Sequence, residues 1–240
     1  MSGADLENLM NESAILAARR SKKAISEEDI NDATDRVTAG IQGKSLSNAS
    51  SKKLLAYHEC GKALVGTLLP YHDPVSKVTL IPRGSRQSLT WFSPDQDQSL
   101  ISLSSLRARI TGSLGGRAAE AVVYGTDQVT TNAGNDLQRV DQIARAMVTQ
   151  VGMSGVGPIA IDQGGMMGPS YSEDLGAAID QAIADITSEE YAKACMIIVE
   201  NRNCLDKLAD ELVAVETLSG DRIREIVSDF TTIPEKLAAV

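Results

Sequence analysis

Residues 58–84 read HECGKALVGTLLPYHDPVSKVTLIPRG and contain the clearest signals of the fold. The first part of this stretch continues a helix-forming run that starts near residue 51, and Pro70 ends that run because proline cannot continue a helix. Two strand-like segments follow, at 77–81 (KVTLI) and 89–92 (LTWF), joined through a turn region at 82–84. A long helix followed directly by a short hairpin predicts a domain that mixes helix with a small sheet.

The rest of the chain is mainly helical in pattern. Residues 1–43 predict two short helices, and further helices are expected at 100–124, at 137–151 and in two or three segments after residue 172. Aromatic residues make up only 3% of the chain, so its core is built from aliphatic side chains, which suits packed helices better than a β-sandwich or barrel. The predicted fold class is therefore mainly α (α+β).

Composition limits the functions that the chain can have. Acidic residues number 32 and basic residues 23, and the resulting net charge of −9 argues against general nucleic-acid binding, which needs a basic face. The three cysteines, Cys60, Cys195 and Cys204, form no CxxC motif, and this favours a reducing compartment. No signal peptide precedes the first helix, and no apolar run approaches the ~20 residues of a membrane span. We expect a soluble chain.

Two glycine-containing patterns favour structural explanations. Gly43-Lys44-Ser45 resembles the end of a phosphate-binding loop. The first glycine of that pattern would fall at residue 38, which is threonine, and the segment follows a helix rather than a strand, so phosphate binding is not expected. The glycines of 112–116 (GSLGG) lie inside a helical pattern, where close packing between helices explains them better than a ligand does.

The residues whose side-chain chemistry points most clearly to catalysis are His58 and Glu59. In a zinc peptidase helix that reads HExxH, the histidines at positions i and i+4 share a face and bind one Zn²⁺, while the glutamate acts as general base on a metal-bound water. Here the second histidine is replaced by Lys62. A His-Glu pair alone is a weak signal, and an ordinary helix surface would account for it.

The wider sequence resembles the zinc-peptidase domain of the FtsH family of membrane-bound AAA+ proteases, most strongly its cyanobacterial and chloroplast branch. The 58–84 stretch is similar to a family stretch that has HEAGH or HEVGH followed by a comparable run. Further blocks follow in family order: LTWF (89–92), LGGRAAE (114–120), VTTNAGNDLQRVDQIARAMVTQVGMS (129–154) and VETLSG (215–220). Residues 2–20 resemble the last helices of the AAA+ lid.

The resemblance implies a helical zincin-like fold and a set of site residues. His58 corresponds to the first zinc ligand, Glu59 to the catalytic base and Asp136 to a third, carboxylate ligand from a distant helix. The strand Leu89, Thr90, Trp91 and Phe92 corresponds to a sheet edge beside the active-site cleft, where a substrate peptide could add as an extra strand.

The same resemblance implies a domain organisation and partners. Residues 1–43 correspond to the C-terminal helices of an AAA+ lid, 44–50 to a linker and 51–240 to the peptidase domain. No Walker A motif is present, so ATP would bind only to a missing or partner AAA+ module, and the chain is either a fragment or naturally short. The resemblance implies homo- or hetero-hexamers with FtsH-type subunits and polypeptide substrates. It also implies a location on the stromal or cytoplasmic side of a thylakoid or plasma membrane, with membrane contact only through absent segments or partner subunits.

Lys62 puts zinc binding in doubt. A protonated ammonium has no lone pair for a metal, and its charge repels Zn²⁺. His72, in a turn after Pro70, and Cys60, on a different helical face, are poor substitutes. We expect instead that Lys62 fills the place of the cation and pairs with Glu59 or Asp136.

Three functions remain open on the sequence alone. One is an active zinc endopeptidase that uses His58, Asp136 and a substitute ligand. The second is an inactive family member that contributes interfaces to a ring beside active subunits, which the single residue Lys62 favours. The third, an unrelated helical interaction module, would require every family block to be accidental.

Overall fold

A computed structural model describes residues 2–40, 43, 48–82, 88–93, 100–160 and 171–236. The helices are α1 Gly3–Arg19, α2 Glu27–Ala39, α3 Ala49–Leu68, α4 Leu103–Tyr124, α5 Gly134–Thr149, α6 Glu173–Glu200, α7 Arg202–Val215 and α8 Gly220–Phe230. The strands are β1 Val75–Thr79, β2 Leu89–Phe92 and β3 Thr217–Ser219. Residues 44–47 of the predicted linker and 83–84 of the predicted turn lie outside the described residues. The mainly α (α+β) prediction is confirmed.

The two N-terminal helices begin at capping boxes. Ser2 accepts a hydrogen bond from the Asp5 backbone and the Asp5 carboxylate accepts one from Ser2, while Ser26 and Asp29 form the equivalent pair at α2. These reciprocal bonds satisfy amide groups that a helix start leaves unpaired. The pair of helices contacts the sheet through an ion pair between Lys77 Nζ and Asp35 Oδ1, which are 2.5 Å apart.

The centre of the molecule is the contact between α3 and α4. Gly61 of α3 and Gly115 of α4 face each other so closely that a Cβ on Gly61 would lie 2.5 Å from the Gly115 carbonyl oxygen. Two helix backbones can approach to this degree only where side chains are absent. The prediction that the 112–116 glycines serve close helix packing is confirmed, and the facing glycine belongs to the HECGK segment itself.

The sheet has three antiparallel strands in the order β2-β1-β3. β1 begins and ends two residues before the predicted run at 77–81, and β2 matches its predicted bounds. β3, which was not predicted, pairs Val78 with Leu218 and so carries the start of α8 against β1. β2 is the outer strand on the side of α3.

The C-terminal segment returns to α3. Lys236 Nζ donates to the carbonyl oxygens of Gly66, Thr67 and Leu69, at 2.8, 3.2 and 2.8 Å. A cation at a helix C-terminus satisfies unpaired carbonyl groups and complements the helix dipole. None of the described helices combines the length and apolar character that crossing a membrane requires.

Candidate active site

Three helices bring the predicted site residues together. α3 supplies His58, Glu59 and Lys62, α5 supplies Asp136 and α4 supplies Glu120. The buried His58 ring lies between two carboxylates: its Nδ1 is 2.7 Å from Glu120 Oε1 and its Nε2 is 3.0 Å from Asp136 Oδ2. Both ring nitrogens of His58 are therefore occupied by protein groups.

Glu59 is enclosed by hydrogen-bond donors. The hydroxyl groups of Ser88 and Thr90, at the start of β2, donate to its two carboxylate oxygens at 2.8 and 2.5 Å. The ammonium of Lys62 lies 2.9 Å from Glu59 Oε2. Because Glu59 is only 2% exposed, these three donors are what compensates the burial of its charge.

Lys62 also contacts the second carboxylate of the site. Its Nζ is 3.4 Å from Asp136 Oδ2, the same oxygen that faces His58. The sequence predicted a pair with Glu59 or Asp136, and the structure places the ammonium next to both. A single buried cation thus links the position of the predicted catalytic base to that of the predicted third ligand.

The charges in this cluster stabilise one another. Burial acts against the charged forms of Lys62 and His58, but the neighbouring carboxylates outweigh it and raise both pKa values. Burial likewise disfavours ionised Glu59 and Asp136, yet Lys62 and His58 bring both carboxyl pKa values below their ordinary range. Carboxylate oxygens face both ring nitrogens of His58 and the ammonium of Lys62, an arrangement that favours the protonated form of each.

This arrangement does not fit a catalytic zinc ion. Such an ion needs three protein ligands, and each histidine ligand must offer a lone pair. His58 Nε2 and Asp136 are engaged with each other, and the third position holds a cation. Over the parts of the chain that the structure describes, no three His, Cys, Asp or Glu side chains converge on a point suited to a metal.

Neither proposed substitute ligand reaches the site. His72 is buried against Phe92 and next to Gly112, and its Nδ1 donates to the Asp73 carbonyl oxygen at 2.8 Å. Cys60 lies in the apolar core, where burial raises its thiol pKa well above the ordinary value and so disfavours the thiolate that binds metals. Neither residue lines the cleft described next.

A cleft of about 920 Å³ opens beside the cluster. Residues of α3, of β2 and of α5 with the turn before it line this cleft. Of the predicted substrate strand, Leu89, Thr90 and Phe92 line the cleft. Trp91 does not line it, and the centre of its ring lies instead 5.9 Å from Lys77 Nζ.

Three features of the site were missed from the sequence. Glu120, which orients His58, is fully buried and also accepts a 2.6 Å hydrogen bond from the Thr130 backbone. Ser88 is the donor to Glu59 described above. Gly116 leaves room for the imidazole, because a Cβ there would lie 2.5 Å from His58 Nε2. The sequence does show an acidic residue at the end of the helical GGRAAE block. It does not show the partner of that residue, because His58 lies 62 positions away.

A His-Glu pair on a buried helix, a carboxylate from a neighbouring helix and a sheet edge beside them define a zincin-like peptidase fold. Residues 45–226 match the family model for peptidase family M41, and residues 1–32 match the AAA+ lid domain. The chain belongs to peptidase family M41, and the predicted resemblance is confirmed.

Relatives extend over almost the whole chain. It is 46% identical to "ATP-dependent zinc metalloprotease FtsH" of Trieres chinensis, over 98% of this chain and 38% of that protein. It is 49% identical to "ATP-dependent zinc metalloprotease FTSH 2, chloroplastic" of Oryza sativa subsp. japonica, over 97% of this chain and 36% of that protein. It is 48% identical to "ATP-dependent zinc metalloprotease FTSH 8, chloroplastic" of Arabidopsis thaliana, over 97% of this chain and 35% of that protein. The chain thus spans little more than a third of the length of these relatives.

Proposed function

We propose that this chain is an FtsH-type peptidase domain in which zinc binding and proteolysis are impaired or lost, and which acts through assembly with FtsH-type subunits. The single observation that carries the proposal is the position of the Lys62 ammonium, 2.9 Å from Glu59 and 3.4 Å from Asp136. This ammonium occupies the position of the second histidine ligand and pairs with Glu59. It also brings a positive charge to the point where a metal cation would bind.

The relatives support the rest of this proposal. Their names describe ATP-dependent zinc metalloproteases, and the match of residues 1–32 to an AAA+ lid adjoins the peptidase match. We propose residues 1–43 as lid helices, 44–50 as a linker and 51–240 as the peptidase domain. An AAA+ module elsewhere would bind ATP, and homo- or hetero-hexameric rings would hold this domain beside other FtsH-type subunits.

The location follows from the same relatives. Several of them are named chloroplastic, which supports a stromal or cytoplasmic position on a thylakoid or plasma membrane. Membrane contact would come through segments outside this chain or through partner subunits.

The competing function is an active zinc endopeptidase that uses His58, Asp136 and a substitute ligand. The contacts of His72 and Cys60 count against both residues as that ligand. The ligand would have to be a water molecule, and Lys62 would have to leave two carboxylates to admit the metal.

Hydrolysis of a quenched-fluorescence peptide tests the proposal. We expect no zinc-dependent cleavage by the chain and measurable cleavage by Lys62→His, which Glu59→Gln then abolishes in that background. Lys53→His, an exposed change on the same helix, serves as the control and should leave the chain inactive. Cleavage by the unchanged chain that requires Glu59 would contradict the proposal, as would a zinc-loaded Lys62→His chain that cleaves nothing.

Assembly is tested by co-expression with a complete FtsH subunit and native mass spectrometry. We expect rings that contain both chains. Rings built only from the complete subunit would argue against a role in assembly.

A further inference from the structure

The charged side chains that line the cleft divide into two groups. Among the described residues, five charged or titratable side chains line it, and four of them, His58, Glu59, Lys62 and Asp136, form the network above. Within that network each carboxylate has a cationic partner. The fifth side chain is Arg139, which forms no hydrogen bond or ion pair with any other part of the chain that the structure describes.

Arg139 is well placed to contact a ligand. It lies on α5 three residues after Asp136, and residues at this spacing are neighbours on one helical face. It is exposed, and it lines the same cleft as β2. Asn135 and Gln142 on the same helix are uncharged, so they leave the guanidinium charge uncompensated. A ligand that lies along β2 therefore enters a cleft that α5 also lines.

We propose that Arg139 forms a subsite for a carboxylate of a polypeptide bound in the cleft. This rests on the proposed function in one respect, that the cleft receives polypeptides, but it requires neither zinc nor cleavage. A planar guanidinium offers paired donors that match the two oxygens of a carboxylate. The carboxylate is either an Asp or Glu side chain or the C-terminus of the polypeptide.

The chemistry of the cleft favours a carboxylate over other groups. Glu59 and Asp136 are already neutralised, so a cationic ligand finds no free anion among the described lining residues and meets Arg139 directly. An anionic group pairs with Arg139 without breaking the network. The preference is local, because the chain as a whole carries a net charge of −9 and repels acidic ligands at long range.

Fluorescence anisotropy with matched peptides tests the subsite. The probes are labelled ten-residue peptides of one sequence that carry Glu or Gln at a central position, each with a free or an amidated C-terminus. We expect the wild-type chain to bind either the Glu peptide more tightly than the Gln peptide, or the peptide with the free C-terminus more tightly than the amidated one, by about fivefold. Arg139→Gln should bring that ratio to about one, and Arg139→Glu should invert it. Arg145→Gln, on the same helix but outside the cleft lining, should leave the ratio unchanged.

The four peptides separate the two sources of the carboxylate. A ratio that follows the central residue assigns a side chain, and one that follows the C-terminus assigns a terminal carboxylate; both support the subsite. Equal affinities for all four peptides, a ratio that survives Arg139→Gln, or no peptide binding at all would overturn it. These outcomes are independent of the zinc-dependent hydrolysis that decides the proposed function.

Discussion

At the scale of single residues, Lys62 connects the two sides of the site. Its ammonium contacts Glu59 from its own helix and Asp136 from α5, and it is only 8% exposed. Removing one partner of a buried ion pair leaves a charge that neither water nor protein compensates. The structural role of Lys62 can therefore be measured separately from any catalytic role.

We expect Lys62→Met to lower the free energy of unfolding by about 3 kcal/mol, because methionine keeps the apolar stem and removes the charge. Lys53→Met is the matched control on the same helix. Its ammonium is 3.9 Å from Asp210 in an exposed pair, so its loss should cost about 0.5 kcal/mol or less. Urea denaturation of both variants gives the comparison, and equal losses would show that Lys62 is not stabilising the cluster.

His72 makes a second prediction at this scale. Burial is the main cause that lowers its pKa from 6.5 to about 4. As pH falls below 6.5, the unfolded chain takes up a proton that the folded chain does not, so the stability associated with neutral His72 is lost between pH 6.5 and pH 4. Between pH 7 and pH 5 the loss is about 2 kcal/mol.

The variant His72→Asn separates this effect from other acid-sensitive groups. Asparagine can still donate to the Asp73 carbonyl but does not titrate. We expect its free energy of unfolding to fall by about 2 kcal/mol less between pH 7 and pH 5 than that of the wild type. Parallel pH dependences in urea denaturation would contradict the assignment, whatever the absolute stability of the variant.

At the scale of elements, the contact between α3 and α4 holds the site in place. α3 carries three of its residues and α4 carries Glu120, so the separation of the two helices sets the distance from His58 to its buried partner. Glycines on both helices allow that separation. The spacing of these two helices is thus a condition for the geometry of the cluster.

We expect Gly61→Ala to destabilise the fold by about 2 kcal/mol or more, since its Cβ would meet the Gly115 carbonyl oxygen at 2.5 Å. Gly134→Ala, at the start of α5, is the opposite case. Nothing lies within 4 Å of its Cβ position, and its backbone is already helical, so stability should rise by about 0.5 kcal/mol. Thermal and urea denaturation measure both, and a Gly61→Ala variant as stable as Gly134→Ala would refute the packing argument.

At the scale of the whole molecule, local patterns predicted most elements and fewer of their contacts. The end of α3 just before Pro70 and the strand 89–92 were predicted because their signals lie within a few residues. β3 was not, because a three-residue strand is specified by its pairing with β1 rather than by its own pattern.

The candidate site shows the same division. The resemblance supplied His58, Glu59 and Asp136, and charge alone suggested a partner for Lys62. Glu120 and the contact of Lys62 with two carboxylates at once depend on helices that meet only in the folded chain. A sequence pattern names the chemical groups, whereas tertiary packing decides which of them face each other.

The zinc content of each chain decides whether Lys62 takes the place of a metal ion. The chain and its Lys62→His variant would be purified without chelator and supplied with equal zinc. Inductively coupled plasma mass spectrometry would then give the number of zinc ions bound per chain. We predict no bound zinc in the chain and about one zinc ion in Lys62→His. One zinc ion in the unchanged chain, lost on Asp136→Asn, would contradict that role of Lys62.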